Sequence, residues 1–357
     1  MMRLNSAFLG LILALFAVPV SAAERIQAPF DGEGARAARG APAKKFTCAA
    51  APTPVRDLSF DGFYQQGTNS SIVDEAKMKA YDAATKTLDT FEQGVQRLGD
   101  SYVAAKPADP AIAACALEWM VGWAAADALM GKVSQQGSYV RKWMLASTAM
   151  AYVKVRDDAG LDAAKKQTVE SWIRRWFDAV RQDYSTRLDR SDKRNNPSYW
   201  AGWAVMAAAV ALDDRSHFDW ALGQFRKALD QIKPDGTLPL EMERRQRALH
   251  YHLYALAPLV MIAETAARNG VDLYDEKDGI FHRLVQRTVE GFDDQSFFEK
   301  ASRAKQEFKN KPNAGDIVWA LPYKHRYPAP ALDRWTAKFD RLYSTRSGGD
   351  FGLLFGK

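Results

Sequence analysis

The chain has 357 residues, room for one large domain or two ordinary ones, and is 47% hydrophobic and 26% charged, a globular balance. Its net charge of +6 is a mild excess with no basic low-complexity tail and no nucleic-acid motif. That argues against nucleic acid as a partner and for an acidic polysaccharide or an anionic surface.

The first residues stand apart from the rest. Arg3, the apolar run Ala7 to Val20 and then Ser21-Ala22-Ala23 follow the basic, apolar, small-residue order of a secretory signal peptide over residues 1–23. The run is short for a transmembrane span, and no later stretch is long and apolar enough for one. An uncleaved anchor is the alternative; the small residues favour cleavage near Ala22 or Ala23, leaving an exported, soluble protein. Export permits the two cysteines, Cys48 and Cys115, to pair, against the alternative of two buried thiols. A disulfide is expected, tying an irregular N-terminal segment to the helix that carries Cys115.

Residues 24–57, rich in Ala, Gly, Pro and Arg without periodicity, read as an extended arm. Residues 58–357 form a single domain. It opens on a polar, aromatic loop, Phe60 to Ser71, which is either plain surface or a lid; Tyr64 is its candidate for contact with a ligand. From Val73 the apolar residues recur at three- and four-residue spacing, predicting helices over Val73 to Arg97, Ala111 to Lys132, Ser138 to Val155 and Leu161 to Tyr184. Further helices are predicted over Tyr199 to Leu212, His217 to Ile232, Leu240 to Asn269 and Gly279 to Phe292. Breaks fall at Pro107, Pro110, Gly137, Gly160, Pro234-Asp235-Gly236 and Asn269-Gly270. Alternating β-branched runs are few. The class is all-α, and successive antiparallel pairs could curve into a toroid with a cleft at one end. After Asp293 the pattern weakens. Trp319 to Tyr327 either returns to line the cleft or packs the C-terminus, and Ser347 to Lys357 reads as extended.

Two stretches carry chemistry. Arg194-Asn195-Asn196-Pro197-Ser198-Tyr199-Trp200 offers amides, a cation and aromatics at a helix start, with Asn196 as cap and Pro197 as the first helical residue. That local signal needs no function to explain it. Glu241 to Tyr254 holds Arg244, Arg245, Arg247, Tyr251 and Tyr254, and helical spacing would put Arg244, Arg247 and Tyr251 on one face. An exposed salt-bridge stripe with Glu241 and Glu243 is the plain alternative. Most of the tryptophans on the helices read as core, with Trp143 and Trp200 as candidates for stacking on a sugar ring. A glycoside hydrolase would need paired carboxylates across a cleft; Glu118 and Asp127 share a helix, but nothing aims them at a sugar.

Asn195-Asn196-x-Ser198-Tyr199-Trp200-Ala201, Leu238-Pro239, Arg244-Arg245-Gln246-Arg247-Ala248-Leu249 and Tyr251-His252 together resemble polysaccharide lyase family 5, the bacterial alginate lyases. Cys115 to Trp119, Trp123, Asp127 to Leu129, Arg141-Lys142-Trp143 and Asn269 to Leu273 extend the resemblance, which covers roughly Cys48 to Tyr327. It implies an incomplete α/α toroid with a deep cleft, a periplasmic lyase, and no metal or organic cofactor; a monomer is expected. It also implies β-elimination on a polyuronate such as alginate, polymannuronate or a polyglucuronate-like chain. By motif position, Asn196 and Arg244 would neutralise the uronate carboxylate and the enolate-like charge that develops. Tyr251 would protonate the leaving oxygen, while Arg247, Tyr64, Trp143, Trp200 and Tyr254 would bind substrate.

The family motif carries a histidine where this chain has Pro197, which has no side-chain proton acceptor. Three accounts follow. Tyr251 serves as both base and acid, helped by Arg244 and Arg247. His250 or His252 stands in, although adjacent helical positions point about 100° apart. Or the protein is a catalytically impaired homologue that binds an acidic exopolysaccharide without cleaving it. The first loop also departs, since the family's Ser-Lys-Tyr-x-Gly-Ser appears as Phe63-Tyr64-Gln65-Gln66-Gly67 without the lysine, which bears on specificity for alginate.

Overall fold

A computed structural model describes residues 25–187 and 194–357. The expected signal peptide, residues 1–23, lies outside the described residues. Helices dominate, in the order α1 Gly32–Arg39, α2 Glu75–Ala104, α3 Pro110–Ala125, α4 Gln135–Val155, α5 Ala163–Gln182, α6 Asn196–Leu212 and α7 Arg215–Gln231. They continue as α8 Pro239–Met242, α9 Ala248–Arg268, α10 Glu276–Asp293, α11 Ser296–Ser302, α12 Ala320–Arg326, α13 Pro330–Thr336 and α14 Phe351–Phe355. The one sheet among the described residues is a two-stranded hairpin, β1 Tyr343–Ser344 with β2 Gly349–Asp350.

The chain alternates between two layers. Helices α2, α4, α6 and α9 pack on one another in succession, while α3, α5, α7 and α10 flank them on the outside. Composition explains which helix goes where. On α6, 15 of 17 residues are buried, so it is apolar all round and must be enclosed. Its alanines let α4, α7 and α9 approach closely. The outer helices α5 and α7 bury one stripe and expose charged residues on the other. Gly94 on α2 shows how tight the pairing is: a Cβ there would meet the Trp119 ring of α3 at 2.2 Å.

Helix starts are set by side-chain caps. Asp74, Ser134 and Asp214 each accept a backbone N–H from the first turn of α2, α4 and α7. At α6 the cap lies one residue earlier than the sequence suggests. Asn195 is the N-cap, without a side-chain cap bond, so Asn196 and Pro197 both sit inside the first turn.

The N-terminal arm is mostly irregular, as expected, but contains α1, capped by Asp31. Cys48 and Cys115 are joined by a disulfide. Beside it, the indole N–H groups of Trp119 and Trp123 donate to the carbonyls of Ala49 and Pro52 at 2.8 and 2.9 Å. Three ties thus fix residues 48–52 to one helix. The aromatic run near Trp319 forms α12, which packs on α9, α13 and α14. The C-terminus is not extended. Gly348 and Gly349 adopt φ of 117° and 103°, values that favour glycine, and turn the chain back into the hairpin.

Candidate active site

The loop after the arm folds on itself. Gln65 N–H donates to Ile72 O and Asp74 N–H to Phe63 O, closing a narrow turn around Thr68 to Ser71. The turn is strapped to the segment before α9. The Arg244 guanidinium donates to Asn69 O at 2.7 Å, Asn69 Nδ2 to Glu243 O at 3.3 Å, and Gln246 Nε2 to Ser71 O at 3.2 Å. The result delivers Tyr64 into the cleft, where its hydroxyl lies 2.8 Å from that of Tyr251.

Arg244, Arg247 and Tyr251 do not share one continuous helix. Arg245 takes φ of +51° and starts a 3-10 turn through Arg247, and α9 begins only at Ala248. The break does not scatter the charges. The Arg244 guanidinium carbon lies 4.9 Å from the Tyr251 ring centroid, and that of Arg247 lies 5.7 Å from it and 5.5 Å from the Tyr64 ring. Two phenols and two guanidiniums thus form one cluster.

Beneath them sits Glu241, fully buried, which sequence reading passed over as a partial counter-charge. Its Oε1 accepts the Asn196 backbone N–H at 2.9 Å, and its Oε2 faces Arg244 Nε at 3.7 Å. Burial raises this carboxyl, against the pull of Arg244 and the Asn196 N–H. Asn196, also buried, donates from Nδ2 to the Tyr251 carbonyl at 2.8 Å, and its Oδ1 has no hydrogen-bond partner among the described residues. Glu241 and Asn196 therefore link the start of α6 to Arg244 and to the backbone of Tyr251.

Protonation follows from the surroundings. Burial pushes the Tyr251 phenol well above its ordinary range; the neighbouring Tyr64 adds to this, and Arg244 and Arg247 only partly oppose it. The arginines do not make Tyr251 a phenolate at rest. Of the two histidines beside it, His252 is committed to the fold: Nε2 accepts the Leu238 N–H at 2.8 Å while Nδ1 lies 2.8 Å from Ala248 O. His250 is half-buried, its ring 5.2 Å from that of Tyr251. Burial, Arg247 and Lys311 push its imidazole down to about 4, so it is neutral at neutral pH.

Further along the cleft, Trp200 and Tyr254 pack with centroids 5.0 Å apart. Trp143 joins the same region, with the Arg346 guanidinium over one face of its ring at 3.9 Å. Arg346 was not identified from sequence. It comes from the hairpin, is anchored by the Trp203 indole N–H donating to its carbonyl at 2.9 Å, and its charge acts on the Tyr254 phenol. The Gly-Gly turn after it was the available signal.

Comparison with known proteins places this arrangement. A family model described as Alginate lyase matches residues 60–298. A curated alginate lyase from Pseudomonas syringae pv. syringae is 38% identical over 318 residues, covering 87% of this chain and 83% of its own length. A polysaccharide lyase from Stenotrophomonas maltophilia is 34% identical, covering 88% and 92%. Among solved structures, alginate lyase A1-III from Sphingomonas species A1 superposes with a TM-score of 0.80 at 28% identity, covering 94% of this chain and 98% of that one. A histidine-to-alanine variant of A1-III complexed with a tetrasaccharide superposes at 0.83. By fold, motif and similarity over most of its length, this chain belongs to the alginate lyase family, the carbon–oxygen lyases of polysaccharides.

Proposed function

We propose that the protein cleaves an acidic polyuronate, alginate or a related polymannuronate or polyglucuronate, by β-elimination, and that it does so as an exported, periplasmic monomer. The observation that carries the reading is the Tyr64–Tyr251 hydroxyl pair flanked by Arg244 and Arg247. The disulfide and the signal-like first residues support export.

The chemistry has two demands. The C5 proton of a uronate is barely acidic, so the carboxylate must be neutralised and the enolate-like charge held; the guanidinium of Arg244 and the second amide hydrogen of Asn196 do this. A base must then take the C5 proton while the C4–O4 bond breaks, the C4=C5 bond forms and O4 leaves with a proton. Pro197 offers no base. The Tyr251 oxygen, as phenolate, takes the C5 proton and passes it to O4, ending as phenolate again. Arg244, Arg247 and the Tyr64 O–H stabilise that phenolate when it forms.

Because burial raises the Tyr251 phenol, little phenolate exists at neutral pH. The rate then climbs about tenfold per pH unit through the neutral and mildly alkaline range. A second reading is favoured by one observation, the neutral His250 ring beside Tyr251. If His250 takes the C5 proton and Tyr251 only donates to O4, the rate is flat above about pH 5, since an imidazole of pKa about 4 is already a free base. The test is the ultraviolet absorbance of the unsaturated uronate with alginate, polymannuronate and polyglucuronate across pH. If no polymer yields that signal at any pH while an acidic polymer still binds, the protein is a binding homologue and not a lyase.

A further inference from the structure

Next to the phenol cluster the cleft continues into a cavity of about 300 Å³ between α2, α6, α9 and the C-terminal hairpin. Trp200 and Tyr254 form one wall and Arg346 another. The charged side chains lining it are unexpected for a site that takes polyanions: three carboxylates, Asp89, Glu92 and Asp316, against one cation, Arg346. Lys311 pairs with Asp316 at 2.7 Å, and Thr85 donates to Asp89 at 3.2 Å. Glu92 is 5% exposed, and its Oε1 is buried without a hydrogen-bond partner among the described residues; Arg346 supplies the opposing charge.

A buried carboxyl left unbonded is costly, and the fold does not need it there: α2 would be as well packed with a neutral side chain of the same size. An acceptor held unsatisfied in a cavity is instead suited to a ligand that brings donors. Asp89, three residues earlier on the same helix, adds a second acceptor. A uronate carboxylate in this cavity would face both acids, whereas sugar hydroxyls would satisfy them. Arg346 does not reverse this. Its guanidinium is stacked on Trp143, and Tyr254, Glu92 and Asp89 offset its charge.

Resting on the polyuronate reading above, we infer that this cavity is a subsite for an uncharged sugar held through its hydroxyl donors by Glu92 and Asp89, so that the preferred substrate is a mixed chain in which a uronate neighbours a sugar without a carboxylate. The cleft is then divided by function. Arg244 and Arg247 receive the uronate that reacts, and Glu92 and Asp89 read the unit beside it. Burial raises the Glu92 carboxyl to about 7, and Asp89 adds to this, while the charge of Arg346 opposes it only in part.

The test is calorimetric binding to the full-length Tyr251→Phe variant, which cannot consume its ligand, with two tetrasaccharides: one of mannuronate alone, one alternating glucuronate with an uncharged hexose. The mixed tetrasaccharide should bind about tenfold more tightly, the worth of one or two hydrogen bonds to a carboxylate. Adding Glu92→Leu should abolish that preference, and Glu92→Gln, which keeps size and polarity, should weaken it. Thermal melting separates this from a structural role: Glu92→Gln should raise the Tm, whereas a residue needed by the fold would lower it. Equal binding of the two tetrasaccharides, or a preference for the mixed one that survives Glu92→Leu, overturns the subsite and leaves the polyuronate reading standing. If neither tetrasaccharide binds, both fall together.

Discussion

Two neighbouring parts of the cleft share one helix and have opposite electrostatics. Tyr251 and Tyr254 are three residues apart on α9. Around Tyr251 the charges are Arg244 and Arg247; around Tyr254 the cavity carries Asp89, Glu92 and Asp316 against Arg346. In the first region the buried acid, Glu241, is bonded to Asn196 and faces Arg244, so it serves the scaffold. In the second, Oε1 of Glu92 has no hydrogen-bond partner among the described residues, and only the charge of Arg346 opposes its own. A buried carboxylate that is paired holds neighbours in place, while one left without a partner marks a place where something else completes the site.

The largest expected effect on the first region is Tyr251→Phe, which removes the phenolic oxygen assigned to both proton transfers. It should lower kcat by about a thousandfold or more, within the range for losing an acid–base group, while leaving binding in place. Arg244→Ala removes the main charge set to stabilise the enolate and should cost about a hundredfold in kcat. Equal rates in that variant would remove Arg244 from the reaction.

Stability tests sharpen the contrast. Replacing both cysteines with serine frees a loop with a sequence separation of 67 residues and should cost about 4 kcal/mol in denaturant unfolding. A Glu92→Gln variant should instead gain stability, and the gain should depend on pH. The folded-state carboxyl titrates at about 7 against 4.5 for the unfolded chain, so the wild type holds its full stability below pH 4.5 and loses it as pH rises toward 7. The difference between the two proteins should grow over that window to about 3 kcal/mol and then level off. A constant difference across pH would mean that Glu92 has a partner in the folded state.

The first region was legible in sequence because its parts are local. Asn195 to Trp200 and Glu241 to Tyr254 each carry their residues within a few turns, and helical periodicity predicted helices over Tyr199 to Leu212 and Leu240 to Asn269. Two details escaped. A residue's shift in the α6 cap depends on whether Asn195 or Asn196 breaks helical geometry, and both are amides. The positive φ at Arg245 takes Arg244 off α9, and nothing in Arg-Arg-Gln-Arg marks such a turn. The second region was not legible. Glu92 and Asp89 fall inside the predicted helix Val73 to Arg97 with nothing to single them out, and Arg346 just before the run read as extended; only the closure of the toroid brings residues more than 250 positions apart to one cavity. The C-terminal hairpin was the avoidable miss, since Gly348-Gly349-Asp350 is turn chemistry.

The central claim is that Tyr251 alone supplies the base that Pro197 cannot. It is tested most directly by the initial rate of unsaturated uronate formation between pH 6 and about 10 for the wild type beside His250→Gln. The account predicts a rate that rises about tenfold per pH unit in both proteins. A rate that is flat with pH in the wild type and lost in His250→Gln would contradict it.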